Sequence, residues 1–254
     1  MPILEVSGLS RSFGGLQAVK DVGFKVSEGT IKALIGPNGA GKTTLFNLLS
    51  GFIAPDCGDV TFAGHKIQGL KPFRIAAGGM ARTFQHIKLF HKMTALENVM
   101  IGRHTHSNAG FLAGMLCLPR TWKEEKAIKE KALEIMDFLG IAQLADLDAV
   151  SLAYGQQRTV ELARALACGP RLLLLDEPAA GLNMRETADM AGLITRIKGM
   201  GVTVLIVEHD MSLVMNISDE ILVLSYGEKI ADDVPAAIQK NSEVIRVYLG
   251  EDDA

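Results

Sequence analysis

The stretch GPNGAGKT, residues 36–43, decides the fold. It satisfies the spacing G-x-x-x-x-G-K-[ST] in the setting where that spacing has a mechanism. The apolar run TIKALI (residues 30–35) reads as a buried strand just before it, and TTLFNLLSG (residues 43–51) reads as a helix just after it. Glycines there let backbone N–H groups converge on phosphate oxygens, and the helix N-terminus adds partial positive charge. Lys42 supplies a point charge for the β and γ phosphates of a nucleotide, and the Thr43 hydroxyl is expected on Mg2+. The candidate nucleotide-binding residues are Gly36, Pro37, Asn38, Gly39, Ala40, Gly41, Lys42, Thr43 and Thr44. A chance glycine turn has no reason to meet the strand, the helix and every fixed position together.

A second segment, LLLLDE (residues 172–177), supplies what the loop lacks. A fully apolar strand delivers Asp176 at its C-terminal end, where a carboxylate can join the Mg2+ shell. Glu177 lies one residue beyond and can take a proton from a water attacking the γ phosphate. The alternative is a surface Asp-Glu pair after a strand. Pro178 argues against it, since it stops the strand where an active-site edge belongs.

Outward from these two segments, strand and helix signals alternate. ILEVSGL and VGFKV read as short N-terminal strands with a glycine-containing connection, GDVTFAGHKI (residues 58–67) as a hairpin turning at Ala63 and Gly64, and MARTFQ (residues 80–85) as a strand ending near Gln85. Residues 94–167 turn helical: Ile128, Ala132, Ile135 and Leu139 keep helix spacing, and Glu125 can pair with Lys129. Gly169 and Pro170 stop that block. RLLLLDEP, a helix near residues 184–198, VTVLIVEHD, EILVLS, EKIAD and a last helix at residues 243–249 then restore the α/β alternation.

The 254 residues are 48% hydrophobic, enough for a chain that buries ~70–75% of its unfolded surface. A net charge of −3 offers no basic field, so nucleic acid is not an expected partner. Cys57, Cys117 and Cys168 lie far apart, which suits a reduced cytosolic compartment. No signal peptide is read at the N-terminus, and the most apolar stretch (residues 109–119) is too short to cross a membrane, where ~20 residues are needed. That stretch reads as a helix packed within the insert, or as an apolar surface facing a membrane partner. His104 and His106 read as loop histidines, with no third ligand close in sequence.

These parts specify a P-loop NTPase. Three further features narrow the class: YGQQR (residues 154–158), Gln85 before the helical block, and VEHD, which sets His209 at the end of an apolar strand. With them the sequence resembles the ATP-binding subunits of ABC transporters over nearly its whole length. The segments ARTFQHIKLF, LAYGQQR, LDEPAAGLN, VEHDMSLVMNISD and VIRVYLG are most similar to those of branched-chain amino acid importers.

The resemblance implies the ABC ATPase fold: an α/β P-loop core with a mainly parallel sheet, an N-terminal antiparallel β subdomain and an inserted α-helical subdomain. It makes residues 1–254 one ATP-binding domain, with residues 1–85 and 168–254 as core and 86–167 as the helical part. It implies roles for Gln85 in a Q-loop (catalysis and metal), for His209 as a switch histidine beside the catalytic Glu177, and for Thr43 and Asp176 on the metal. Phe13 stands where the family stacks an aromatic on adenine; by itself it reads as a half-buried strand residue. Leu152, Ala153, Tyr154, Gly155 and Gln156 correspond to a signature that caps the nucleotide of a partner subunit.

The cofactors implied are ATP and Mg2+. The partners implied are a second ATP-binding subunit, two membrane permeases and, indirectly, a periplasmic binding protein, with this chain peripheral at the cytoplasmic face of the inner membrane. A urea or amide importer and a lipid exporter are alternatives with the same chemistry, and a soluble ABC-type ATPase is a weaker one.

Two positions depart from the family pattern. The usual signature is Leu-Ser-Gly-Gly-Gln, so Ala153 removes a hydroxyl and the N–H groups of a helix beginning near Gly155 are left to meet the phosphate. Gly155 is then the sensitive position and Tyr154 the adaptable one, its ring packing beside the loop, against a partner, or simply on the helical part. In AAGLN, Asn183 replaces an aspartate and brings an amide without charge to a dimer contact.

Overall fold

The computed structural model describes residues 1–103 and 119–249. His104, His106 and all but the last residue of the apolar stretch lie outside the described residues. Along the chain run β1 (Pro2–Phe13), β2 (Leu16–Ser27), β3 (Ile31–Ile35), α1 (Lys42–Leu49), β4 (Cys57–Phe62), β5 (His65–Lys66), α2 (Pro72–Ala77) and β6 (Met80–Arg82). Then come α3 (Ala95–Gly102), α4 (Pro119–Phe138) and α5 (Tyr154–Ala167). The chain closes with β7 (Leu172–Asp176), α6 (Met184–Gly199), β8 (Thr203–Val207), α7 (Met211–Ile217), β9 (Glu220–Ser225), β10 (Glu228–Asp233), α8 (Pro235–Ile238) and α9 (Ser242–Leu249). Two compact units result: Met1–Arg82 with Arg171–Ala254, and Thr83–Pro170.

The first unit holds two sheets. One is antiparallel, in the order β2-β1-β4-β5; the other, in the order β10-β9-β3-β8-β7-β6, is parallel from β9 to β6 with β10 antiparallel at its edge. This is the expected α/β architecture. The N-terminal strands are longer than the sequence suggested: the polar segment before Phe13 stays in β1, pairing Arg11 with Val19 and Phe13 with Leu16 around a Gly14-Gly15 turn. The hairpin at Ala63 and Gly64 forms as read, both residues left-handed (φ 49° and 82°), as a type I′ turn requires. Conversely, β6 ends at Arg82, three residues short of Gln85.

Residues β3, β7 and β8 contribute are all buried, so their sequences read as continuous apolar runs. One face carries Leu34, Leu172, Leu174, Leu205, Val207, Leu222 and Leu224 into a single cluster with Leu45, Phe46, Leu48 and Leu49 of α1 and with Val6, Leu9, Val22 and Phe24 of the antiparallel sheet. The helix that leaves the glycine loop is thereby clamped on its apolar side. Lys32 is the exception within β3: only 2% exposed, its ammonium donates to the Lys25 carbonyl and meets Asp232 (2.5 Å) and Glu220 (3.1 Å).

The second unit is helical. Thr94 and Glu97 close a reciprocal capping box at the start of α3. On α4, Ala132 and Ile135 turn inward as their spacing predicts, while Lys126 pairs with Glu130 (3.8 Å) and Lys131 with Glu134 (2.7 Å), one residue along from the Glu125–Lys129 pair that spacing suggested. Helices α3 and α5 approach so closely at Gly102 that a Cβ there would meet the Arg164 carbonyl at 2.1 Å and the Ala167 methyl at 2.9 Å. Gly102→Ala must push two backbones apart, an overpacking strain of ~1–3 kcal/mol. The expected result is a melting temperature lowered by several degrees, with the loss seen in calorimetry; an unchanged melting curve would contradict this packing.

Candidate active site

The glycine loop runs from the end of β3 to Gly41, the N-cap of α1. Two of its glycines have specific causes. A Cβ on Gly36 would lie 2.1 Å from the Leu224 carbonyl oxygen, and one on Gly41, which is left-handed (φ 98°), would lie 2.3 Å from the Ala18 carbonyl oxygen. Lys42 is buried inside the loop, its ammonium donating to the carbonyls of Gly36 (2.6 Å) and Pro37 (2.9 Å). Burial pushes the Lys42 pKa down, opposed by the nearby Glu177 carboxylate. Thr43 is exposed at the first turn of α1.

Three neighbouring strands set this loop beside the other candidate groups. Val207 on β8 lies opposite both Leu34 on β3 and Asp176 on β7, so the loop, Glu208-His209 and Asp176-Glu177 leave adjacent C-terminal strand ends. Ligands in open parallel sheets bind at such ends. Glu177 has φ 49°, an uncommon conformation for a side-chain-bearing residue and one that clusters at functional sites. Its N–H donates to the Val207 carbonyl (2.9 Å), and its Oε1 accepts from His209 Nε2 at 3.0 Å. The sequence-derived pair Glu177 and His209 is thus one hydrogen-bonded unit.

Two residues with no role in the sequence analysis brace the surroundings of this pair. Glu208, 4% exposed, accepts the N–H groups of Ala179 (2.8 Å) and His209 (3.1 Å), bracing the turn after Glu177 against the histidine. Burial pushes its carboxyl pKa up, against those backbone donors. Arg82, at the end of β6, donates to Asp176 Oδ2 (2.9 Å) and, through its other terminal nitrogen, to Asn47 (2.8 Å) and Ser50 (2.7 Å) on and just beyond α1. Its guanidinium also lies over the rings of Phe46 (5.6 Å) and Phe52 (5.7 Å). The only sequence signal was an arginine inside an apolar strand.

The donor chemistry fits Mg2+. Asp176 and Thr43 offer hard oxygens, and no group of three His, Cys, Asp or Glu side chains able to hold a metal occurs among the described residues. A cation here would find few protein oxygens and would complete its shell with phosphate and water, the manner of Mg2+.

At the periphery, Phe13 ends β1 with its ring 43% exposed and the Arg11 guanidinium 5.1 Å from its centroid. Asn183 caps α6: its side-chain oxygen accepts from Arg185 (3.0 Å) and Glu186 (3.1 Å), while Glu186 returns the bond to its N–H. The spacing N-x-x-E is a capping-box signal that was open to sequence reading. A cleft of about 760 Å³ lies along the outside of the loop, lined by Pro37, Asn38, Gly39, Tyr226 and Arg246 among others. Lys42, Asp176, Glu177 and His209 do not line it, so it is not the reaction site. Tyr248 is 40% exposed, and partial desolvation of its phenol raises its pKa, opposed by a backbone hydrogen bond from Gly36.

Gln85 and residues 152–156 belong to the second unit. The helix begins at Tyr154, one residue before the expected Gly155, because Ala153 already has N-cap geometry. Gln156 turns its side chain back to accept the Ala153 N–H (3.0 Å), and Leu152 is buried. Tyr154 is 46% exposed, with its hydroxyl accepting from Arg158 (3.0 Å). Arg158 also donates to the Gln85 carbonyl at 2.7 Å, and this contact groups Gln85 with the helical unit rather than with the core.

The sequence profile described as ABC transporter matches residues 19–180, and that described as branched-chain amino acid ATP-binding cassette transporter matches residues 228–254. The chain is 49% identical over 251 residues, 98% of each protein, to the high-affinity branched-chain amino acid transport ATP-binding protein BraF of Pseudomonas aeruginosa. It is 43% identical, over 98% of each, to the corresponding protein LivG of Salmonella typhimurium. It is also similar to the solved ADP conformation of an ATP-binding cassette of an ABC transporter, with 33% identity, a TM-score of 0.86, and coverage of 99% of this chain and 100% of that one.

Arg82 and Asp176 form a buried pair, their side chains 8% and 5% exposed. Removing one partner strands the other charge at a cost of ~3–5 kcal/mol, whereas removing both is far less costly. Arg82→Leu is therefore expected to destabilise the nucleotide-free subunit strongly in urea unfolding, and Arg82→Leu with Asp176→Leu to recover most of the loss. Equal destabilisation by the single and double variants would refute the pairing.

Proposed function

The chain belongs to the ATP-binding cassettes of ABC transporters, in their branched-chain amino acid group, and from that premise we propose that it is the ATP-hydrolysing motor of an importer for branched-chain amino acids. The names of its full-length relatives support the substrate class. The observation that carries the motor chemistry is the Glu177–His209 hydrogen bond at the strand ends beside the phosphate loop.

The loop N–H groups and Lys42 hold the phosphates, restoring to the buried ammonium the counter-charge that its lowered pKa reflects. Thr43 and Asp176 would hold Mg2+, with Gln85 added as the family resemblance implies, and the cation would neutralise charge on the phosphate oxygens. Glu177 accepts a proton from the attacking water as its left-handed backbone points the carboxylate out of the sheet edge. His209 Nε2 fixes that carboxylate and stands near the γ phosphate. Phe13 offers the ring face away from Arg11 to adenine.

One chain carries one phosphate loop and one signature segment, so residues 152–156 serve the nucleotide of a second ATP-binding subunit. The N–H groups of Tyr154, Gly155 and Gln156 lie outside the α5 ladder and face that γ phosphate. Asn183 keeps its amide nitrogen for the contact across the pair, its oxygen being used by the helix cap. Residues 83–170, three residues wider at each end than the bounds 86–167 expected from the sequence, act as the helical part of the cassette and the remainder as its core. The full assembly adds two permeases and a periplasmic binding protein, with this chain at the cytoplasmic face of the inner membrane. No helix among the described residues is long and apolar enough to cross a membrane.

Glu177→Gln is expected to slow hydrolysis by ~10²–10⁴-fold, the scale of a lost general base, while nucleotide binding persists. Cells lacking the gene should regain uptake of labelled leucine with the wild-type chain and not with this variant. Near-normal hydrolysis by the variant would sink the catalytic assignment, and normal leucine uptake without the gene would sink the substrate class. Gly155→Asp sets a carboxylate against the partner's phosphate. ATP-driven pairing, followed by sedimentation, should be lost in it; persistence of the pair would remove residues 152–156 from the partner site.

A further inference from the structure

Within the helical unit one buried cation touches two segments to which different nucleotides have been assigned. The Arg158 side chain is 3% exposed. Its Nη2 donates both to the Gln85 carbonyl (2.7 Å) and to the Tyr154 hydroxyl (3.0 Å), and its Nη1 donates to the Phe84 carbonyl (3.2 Å) with Glu161 Oε2 at 3.6 Å. The guanidinium stands 5.4 Å from the centroid of the Tyr154 ring. Its Nε has no hydrogen-bond partner, so the group is held through its terminal nitrogens alone.

Farther along α5 the same segment is gripped again. Glu161 accepts the Lys88 N–H (3.4 Å), and Arg164 donates to the Lys88 carbonyl (2.6 Å). Those bonds fix residue 88 to the helix whatever happens at its N-terminus. Arg158 alone among these three also reaches a residue of the signature. The two hydrogens of one Nη lie in one rigid plane, so a shift of the Gln85 carbonyl turns the guanidinium and moves the donor on which the Tyr154 hydroxyl depends. The cost falls on the donor: a buried guanidinium that loses either acceptor is left with an unsatisfied N–H, which couples the two segments.

We propose that Arg158 is a positioning residue that ties the backbone of Gln85 to Tyr154, so that the nucleotide sensed by the chain's own Gln85 governs how its signature is presented to the nucleotide of the partner. The proposal rests on the reading above that Gln85 and residues 152–156 serve two different nucleotides. It gives the tyrosine a task that glycine, usual at that position, has no atoms to perform.

The test uses the Glu177→Gln chain, whose slow hydrolysis allows ATP-driven pairing to be measured at equilibrium by sedimentation. In that background Arg158→Lys, which keeps the charge but loses the planar fork, and Tyr154→Phe, which loses only the hydroxyl, are compared with their combination. Affinity of the dilute single subunit for a fluorescent ATP analogue and the melting temperature are recorded beside them. Arg158→Lys should weaken pairing about tenfold, within the range of ordinary site-to-site coupling, with single-subunit nucleotide affinity changed less than about twofold. Tyr154→Phe should weaken pairing in the same direction, and the combination should be no worse than Arg158→Lys alone.

A merely structural arginine would lower pairing, nucleotide affinity and melting together, and that result would overturn the proposal. So would unchanged pairing in both variants, or effects that multiply in the combination. If Arg158→Lys does not fold, Tyr154→Phe and Gln85→Ala decide the matter: non-additive effects on pairing support the tie, and additive ones reject it. Failure of the underlying reading is separable, because it would show as normal pairing in Gly155→Asp, whereas failure of this inference leaves that variant unpaired.

Discussion

Val207 sits opposite Leu34 on one side and Asp176 on the other, and this pairing of β3, β8 and β7 is the constraint on which the site depends. Neighbouring strands are about 4.8 Å apart, so three consecutive C-terminal ends hold the phosphate loop, His209 and the two carboxylates within one nucleotide's reach. A slip of one residue in β7 would turn Asp176 to the other face of the sheet and move Glu177 out of reach of His209. The slip is opposed by Leu172 and Leu174 on one face and Leu173 and Leu175 on the other, none of them exposed to water. Catalytic geometry is thus specified by aliphatic packing several residues away. The same cluster holds α1 through Phe46, which fixes the direction in which the loop must turn.

Against that apolar frame the site concentrates charges that water reaches poorly. Lys42, Asp176 and Glu208 are each about 5% exposed, and each has identified partners: loop carbonyls, Arg82, and backbone N–H groups. The two shifts that burial produces run in opposite senses, Lys42 down and Glu208 up, as desolvation requires of a cation and an anion. The buried Arg82–Asp176 pair gives little net stability, since desolvation of both charges offsets their attraction. Its effect is orientation: Arg82 spans from β7 to Asn47 and Ser50, linking the Asp176 carboxylate to the helix that carries Thr43.

What the sequence made legible follows from range. Lys42 and Thr43 announce themselves by the G-x-x-x-x-G-K-[ST] spacing, and Asp176, Glu177 and His209 as polar residues at or just beyond the end of apolar runs, signals confined to a few neighbouring positions. What Arg82, Glu208 and Arg158 do was not legible, even though Glu208 directly follows an apolar run: their partners lie 94, 29 and 73 residues away, at Asp176, Ala179 and Gln85. The strand order was illegible for the same reason, because β3, β7 and β8 are apolar on both faces and so interchangeable by pattern. Misplaced ends have local causes. β1 runs on to Phe13 because hairpin pairing with β2 sustains a polar segment that periodicity does not mark, and β6 stops at Arg82, where the parallel pairing with β7 runs out. Two local signals were readable and passed over: Pro72 opening α2 and the Asn183-to-Glu186 capping box.

The signature shows how one lost atom is accommodated. Ala153 has no hydroxyl, yet the N-cap is closed by Gln156, whose side chain takes the Ala153 N–H. That moves the helix start to Tyr154 and leaves the N–H groups of residues 154–156 as the donors a phosphate can use. Only the second of these needs a small side chain to let an anion approach, and it is Gly155. At the first, the Cβ direction leads back along the helix surface rather than over its end, so a large ring can be carried without closing the approach. An arginine four residues on shares that face of the helix, and a buried guanidinium requires acceptors. The tyrosine hydroxyl is one of them. The chain thus carries an alanine where the family has a serine and, at the next position, a tyrosine whose hydroxyl bonds the protein where the family has a glycine, so the donors left exposed at the helix start are backbone N–H groups.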